Sequence, residues 1–354
     1  MITIYDSNLH IIIFSCHCHD FATQASTISI RDCLEGIQHR ISSRKSNQAT
    51  QNLQQNNEFV GGFEIVGRIV CMGNNVNKSS KHYKIGARVA ALLSNGGGYA
   101  RYASICKDDL IPLPDTASND DIICIVSSYI MAYQCLKMGK DGGIPLTQSG
   151  VLITDAGTSV GQACVDLALR EGANVVAISD KMFETHLRNR GVRKWFSIKS
   201  NDWLPAVEGK MDVVIDTRGF DDNLESSYKS LSATGLLVCT MNTSLGSNIY
   251  DSEYIRKAVE LKSWWISTKV KYTWDRVVLY DIFESYKMDP QMFTQEMHYL
   301  LRKLELGEIT PKVSKRVSFD GVANALTTLE KGTTNGTLVC LPWANSNVHN
   351  STSV

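Results

Sequence analysis

The stretch GVLITDAGTSVGQACVDLALREGANVVAISD, Gly150 to Asp180, constrains this chain more than any other. It reads as an apolar strand, a tight turn of small residues, a helix, and a second apolar strand that ends in an acid. Ala163, Cys164, Leu167 and Ala168 recur on one helical face between the strands. Further apolar strands alternate with helices downstream: WFSI (195 to 198), DVVIDT (212 to 217), GLLVCTM (235 to 241) and DRVVLYDI (275 to 282). Such alternation predicts an α/β region built on a parallel sheet.

The same order is what a dinucleotide site needs. The turn must let backbone N–H groups and a helix N-terminus approach a pyrophosphate, and an acid ending the second strand can bond the ribose. Gly161 and Asp180 are 19 positions apart, against about 20 in dinucleotide-binding chains. The fingerprint G-x-G-x-x-G reads here Ala156, Gly157, Thr158, Ser159, Val160, Gly161, with only its last glycine in place. Thr158 puts a Cβ in the slot where phosphates come close, and a strand-to-helix turn of another α/β domain would look alike. Asp180 favours NAD by accepting from the 2′-hydroxyl, whereas Ser179 and Lys181 beside it suit NADP. An ordinary solvated loop accounts for all three equally.

Other regions differ in character. At 354 residues and 43% hydrophobic content the chain is large enough for two domains. The runs FEIVGRIVCMGNNV (63 to 76), ARVAALL (87 to 93) and YARYASI (99 to 105) are rich in β-formers and separated by turns, which suggests a small irregular barrel. A polar Asn/Gln-rich loop (40 to 58) interrupts it. From about Ile122 a helical stretch begins. After a later helix from Pro290, Pro311 to Phe319, a short helix and GTLVCLPW are too small to stand alone and are expected to complete the barrel, with a frayed end beyond.

Composition excludes some partners. Thirty-six basic residues balance thirty-six acidic ones, so nothing electrostatic calls for nucleic acid or an anionic membrane. The early apolar run Ile11 to Phe14 is far too short to span a bilayer and lacks the flanks of a signal peptide, so a cytoplasmic protein acting on small molecules is expected. Ten cysteines without a C-x-x-C pair point to reduced, mostly buried thiols. SCHCHDFAT (15 to 23) crowds five potential metal ligands together. On a strand, however, Cys16, Cys18 and Asp20 point one way and His17 and His19 the other, so no face offers four.

Taken together, several motifs in order resemble the medium-chain dehydrogenase/reductase family, specifically its zinc-free quinone oxidoreductase group. They are GGFEIVGRIVCMGNNV, IGARVAAL, GGYARYA, LIPLPD, ITDAGTSVGQA and DVVIDTRG. YIMAY and ELKSWW are most similar to the vesicle amine transport protein branch. The resemblance implies a GroES-like β-barrel domain at 1–121, completed by 307–344, a Rossmann domain at 122–306 with the cofactor in the cleft, and a disordered tail at 345–354. It also implies a homodimer formed through the Rossmann domain, and no metal. Zinc-dependent relatives carry G-H-E where this chain reads Gly62, Phe63, Glu64, and the four-cysteine zinc lobe is missing. Glu64 is read as a structural buried acid.

The reaction so implied is hydride transfer from NAD(P)H, with NADP(H) favoured over NAD(H), to a quinone or an activated alkene. Ala156 to Gly161 would meet the pyrophosphate, Ser179, Asp180 and Lys181 the adenosine ribose, and Met241 with Asn242 the nicotinamide end. Tyr99, Tyr129 and Tyr133 are phenols that could donate a proton, or packed aromatics. DFAT matches the family's NFAD, which places Asp20, or His19 in the alternative register, beside the nicotinamide. The chain departs from the pattern at Met131 and Met241, at Asn335, Gly336 and Thr337 where relatives often carry Gly-Lys, and in the few residues before Ile11 that would supply the first barrel strands. These departures support a second expectation, a non-catalytic binding or scaffold protein with a weakened cofactor site. An alcohol dehydrogenase is disfavoured by the missing metal histidine.

Overall fold

A computed structural model of the chain describes residues 2–5, 10–13, 60–72, 83–94, 96–116, 118–200, 202–217, 224–240, 276–330 and 332–344. His19, Asp20, Met241, Asn242, the rest of SCHCHDFAT, the polar loop 40–58, ELKSWW and the tail 345–354 lie outside the described residues. The chain divides into two compact units, one drawn from 1–126 and 313–354, the other from 127–312.

The first unit holds β1 (Ile2–Tyr5), β2 (His10–Ile13), β3 (Glu64–Met72), β4 (Arg88–Leu92), β5 (Tyr102–Ile105) and β6 (Ile111–Pro112), with β13 (Val313–Ser318) and β14 (Thr337–Leu341) from the far end of the chain. They pair in the order β13-β14-β2-β3-β1-β5, with β4 joined to β3 and to β6. Leu338 of β14 faces Ile13 of β2, so the two ends of the chain share one sheet. Four residues, ITIY, are too few to announce β1 by period. β1 nevertheless sits between β3 and β5. Ile65, Ile69, Val89, Ala91, Leu338 and Cys340 form the core of this unit. Helix α1 (Asn119–Cys124) starts where the Ser118 hydroxyl accepts from the Asp121 N–H at 3.2 Å. Its Asp120 accepts a hydrogen bond from Arg316 of β13.

The second unit is a parallel sheet of β7 (Gly150–Ile153), β8 (Asn174–Ser179), β9 (Lys194–Ser197), β10 (Met211–Asp216), β11 (Leu231–Thr240) and β12 (Val277–Tyr280). The order is β12-β11-β10-β7-β8-β9, and every adjacent pair is parallel. Numbered within the unit this is 3-2-1-4-5-6 read from the β9 edge, the doubly wound arrangement whose strand order reverses between β7 and β10. Val151, Leu152 and Ile153 are all fully buried, as expected of a strand covered on both faces. Helix α2 (Ile130–Asp141) follows a π-helical turn at Ile125–Tyr129. Helices α3 (Ser159–Arg170), α4 (Glu184–Asn189), α5 (Trp203–Val207), α6 (Glu225–Ser230), α7 (Ile282–Met288) and α8 (Pro290–Glu305) complete the unit, and α9 (Val322–Glu330) belongs to the first.

The helical run Asn119–Asp141 is long and apolar enough to cross a membrane, yet 83% of its apolar window is buried inside the protein. Met131 in α2 is a buried methionine at 6% exposure. Among the described cysteines, Cys124, Cys135, Cys164, Cys239 and Cys340 are buried free thiols, and Cys71 and Cys106 are exposed ones.

A candidate dinucleotide site

The turn after β7 is fastened to both neighbouring strands. Thr154 N–H donates to Ile215 O of β10 at 3.1 Å, and Ala156 N–H donates to Ile178 O of β8 at 2.8 Å. Between them Asp155 adopts φ +49°, a left-handed backbone that aspartate tolerates better than most residues. The demanding position therefore lies one residue before the slot that the glycine fingerprint marks. Thr158, expected to crowd the phosphates, is the N-cap of α3. Its hydroxyl accepts from Gly161 N–H at 3.1 Å and donates to Asp155 O at 3.0 Å.

Gly161 is required by packing. A Cβ there would lie 2.8 Å from the Ala156 Cα and closer still to the Asp155 carbonyl. Gln162 Nε2 donates to Gly157 O at 2.8 Å and holds the turn from within the helix. Thr158 caps one N–H, and the N–H groups of Ser159 and Val160 belong to the first turn, which has no intrahelical acceptors. A helix N-terminus so built favours an anion.

Reciprocal bonds tie the strand ends at the switch point. Thr217 N–H donates to Thr154 Oγ1 at 3.1 Å, and Thr217 Oγ1 donates to Thr154 O at 2.8 Å. Thr240 Oγ1 donates to Asp216 O at 3.2 Å, and Ser227 donates to the fully buried Asp216 carboxylate at 2.5 Å. The sequence reading missed Thr154, Thr217 and Thr240. Thr154 and Thr240 are the first polar residues at the carboxyl ends of β7 and β11, and Thr217 follows Asp216 at the end of β10, which is the available signal.

At the end of β8 the three candidate ribose residues part company. Ser179 is fully buried, accepts from Trp195 Nε1 at 2.8 Å and donates to Asp180 O at 3.1 Å. Asp180 caps the 3-10 turn Lys181–Phe183, accepting from Met182 N–H at 3.1 Å, and pairs with Lys199 at 3.3 Å. The Met182 bond first, and then Lys199, hold its carboxyl below the usual carboxylate range. Lys181 is exposed. Phe183 folds back so that its ring lies over Gly157.

The three candidate tyrosines sit in different surroundings. Tyr129 is 4% exposed, and its hydroxyl donates to Asp166 Oδ2 at 2.9 Å. Asp166 also accepts from Arg170 Nε at 3.0 Å and lies 3.6 Å from Arg190. Burial, followed by the Asp166 charge, drives the Tyr129 phenol well above its ordinary range. Tyr133 stacks at a tilt on Tyr299, 5.4 Å between centroids, and burial raises its pKa as well. Tyr99, in the first unit, is 7% exposed with its ring against Gly61. Glu64 is fully buried at the start of β3. Gly336 has φ +108° just before β14, and Thr337 is buried. Among the described residues, no three of His, Cys, Asp or Glu are grouped to hold a metal ion.

A family model described as zinc-binding dehydrogenase matches residues 190–340. Quinone oxidoreductase of Mus musculus is 27% identical over 190 residues, covering 51% of this chain and 54% of that protein, so the chain spans about half the length of this relative. Among solved structures, the JamJ enoyl reductase matches with TM-score 0.68 at 17% identity over 96% of this chain and 90% of its own. The human synaptic vesicle membrane protein VAT-1 homolog-like protein matches with TM-score 0.61 at 18% identity, over 95% and 89%. A mycobacterial protein solved with NADPH matches with TM-score 0.64 at 19% identity, over 82% and 85%. The chain is thus similar to zinc-binding dehydrogenases over residues 190–340 and to a quinone oxidoreductase over about half its length, and it shares the fold of these solved structures.

Proposed function

We propose that this protein is an NADPH-dependent, zinc-independent oxidoreductase that reduces a quinone or an activated alkene. One observation carries the reading. The strand order reverses between β7 and β10, and the α3 N-terminus, capped by Thr158 and pressed onto the strand end at Gly161, stands at that reversal. The family similarity supports it, and the names of the mouse and JamJ proteins supply the two acceptor classes.

NADPH, when bound, supplies a hydride, and solvent supplies the accompanying proton. The chain's own residues bind and orient. In this reading the N–H groups of Ser159 and Val160 face the pyrophosphate, while Thr158, Asp155 and Gln162 keep the turn rigid. Asp180 meets the ribose, and Lys181 with Lys199 supplies the positive charge that a 2′-phosphate requires beside that carboxylate. Tyr129, committed to Asp166, takes no part. We further propose a cytoplasmic homodimer joined through the Rossmann unit.

A second reading, a binding protein descended from such reductases, is favoured by one feature: the Ser179 hydroxyl, a candidate 2′-phosphate donor, is buried and already engaged by Trp195. Calorimetric titration with NADPH and NADH separates the two. Binding in the micromolar range with turnover of a quinone supports the reductase; no heat at millimolar nucleotide eliminates it.

A further inference from the structure

Phe183 is 4% exposed although it lies in a short surface turn, and its ring occupies the space that a side chain on Gly157 would fill. A Cβ on Gly157 would stand 2.6 Å from Phe183 Cε2 and 2.8 Å from Cγ, with Cδ2 nearer still. Real Cβ atoms essentially never come so close, so the ring as placed requires a bare glycine at 157. Gly157 lies in the turn before α3. Phe183 closes the 3-10 turn that Asp180 caps and Lys199 pairs with. One aromatic contact therefore bridges two turns that arise from different strands, β7 and β8.

We propose that Phe183 is a positioning residue. Seated on Gly157, it sets the spacing between the phosphate turn and the ribose turn, and through that spacing the preference between a ribose 2′-phosphate and a free 2′-hydroxyl. This rests on the cofactor reading above and deepens it. Gly157 then serves the aromatic ring rather than the approach of a phosphate, which explains why the glycine sits one place after the fingerprint's first slot.

The test uses the full chain and two probes, 2′,5′-ADP and 5′-ADP, titrated calorimetrically into wild type, Gly157→Ala, Phe183→Leu and the double variant. A purely structural loss weakens both probes alike and leaves their affinity ratio unchanged. A positioning role moves the ratio, by roughly three- to tenfold in each single variant, the size of coupling seen between contacting residues. The double variant, in which the alanine methyl takes up part of the volume given up by leucine, recovers the ratio at least in part. Should Gly157→Ala fail to fold, Phe183→Leu, which only removes ring volume, carries the test: a moved ratio supports the pairing, and a wild-type ratio overturns it. If wild type binds neither probe, the cofactor reading falls and this proposal falls with it. If wild type binds and no ratio moves, only the proposal falls.

Discussion

Tyr129→Phe separates a structural phenol from a catalytic one. The substitution deletes a single hydroxyl, which donates at 2.9 Å to the Asp166 carboxylate inside the second unit. A hydrogen bond to a charged group contributes roughly 1.5–3 kcal/mol. Asp166 keeps Arg170 at 3.0 Å and Arg190 at 3.6 Å, so its charge remains balanced and the cost stays near the lower end. For a cooperative unit of this size, about 2–4 °C of Tm is lost per kcal/mol, which places the expected drop at roughly 3–8 °C. A second consequence follows from linkage. The folded-state pKa of Tyr129 lies above its unfolded value near 10, so the fold holds this proton more tightly than the unfolded chain. Its contribution is complete below about pH 10 and is lost as pH rises further. The phenylalanine variant should therefore show a shallower decline of stability in alkali. Thermal melts at neutral pH and at pH 10–11, with steady-state quinone reduction, make the comparison. Turnover should stay within about twofold of wild type. A fall in kcat of a hundredfold with an unchanged Tm would refute the assignment and return the phenol to the reaction.

The remaining predictions test the site and its surroundings. Gly161→Ala forces a methyl against the Ala156 Cα and the Asp155 carbonyl, and should cost about 1–3 kcal/mol in urea unfolding while abolishing nucleotide binding; unaltered binding would mean the helix does not meet the phosphates. Lys199→Gln leaves Asp180 without its cation and should weaken 2′,5′-ADP roughly two- to fivefold at low salt. Its effect on 5′-ADP should be smaller, and equal losses would count against a 2′-phosphate contact. His186, whose Nδ1 lies 3.5 Å from Lys312 Nζ, has its pKa lowered to about 4 by burial and by the Lys312 and Arg190 charges. The unfolded chain binds that proton below about pH 6.5, so stability present above pH 6.5 should decline between pH 6.5 and 4. The loss should be about 1–2 kcal/mol after discounting for solvent screening. His186→Gln should flatten that slope in acid melts, and an identical slope would remove His186 as its source.

What the sequence determined by itself is what repeats locally. Apolar strands at 150–153, 174–179 and 211–216 announce themselves through continuous Val, Ile and Leu, and α3 through its helical spacing. Covalent distance along the chain also puts Asp180 at the strand end after the Gly161 helix, so the dinucleotide order was legible before any fold was known. Only the tertiary structure decided what each candidate side chain does. Ser179 looks like a free hydroxyl until Trp195, from the neighbouring strand, bonds it. Thr158 looks like an obstruction until the helix begins and its hydroxyl becomes the cap. Gly157 acquires its purpose from Phe183, and Tyr129 from Asp166, 37 residues away. The physical reason is common to all four. Periodicity reports how a segment meets water, whereas a hydroxyl or a ring takes its role from the single partner that packing brings to it, and that partner is set by crossovers no local pattern records.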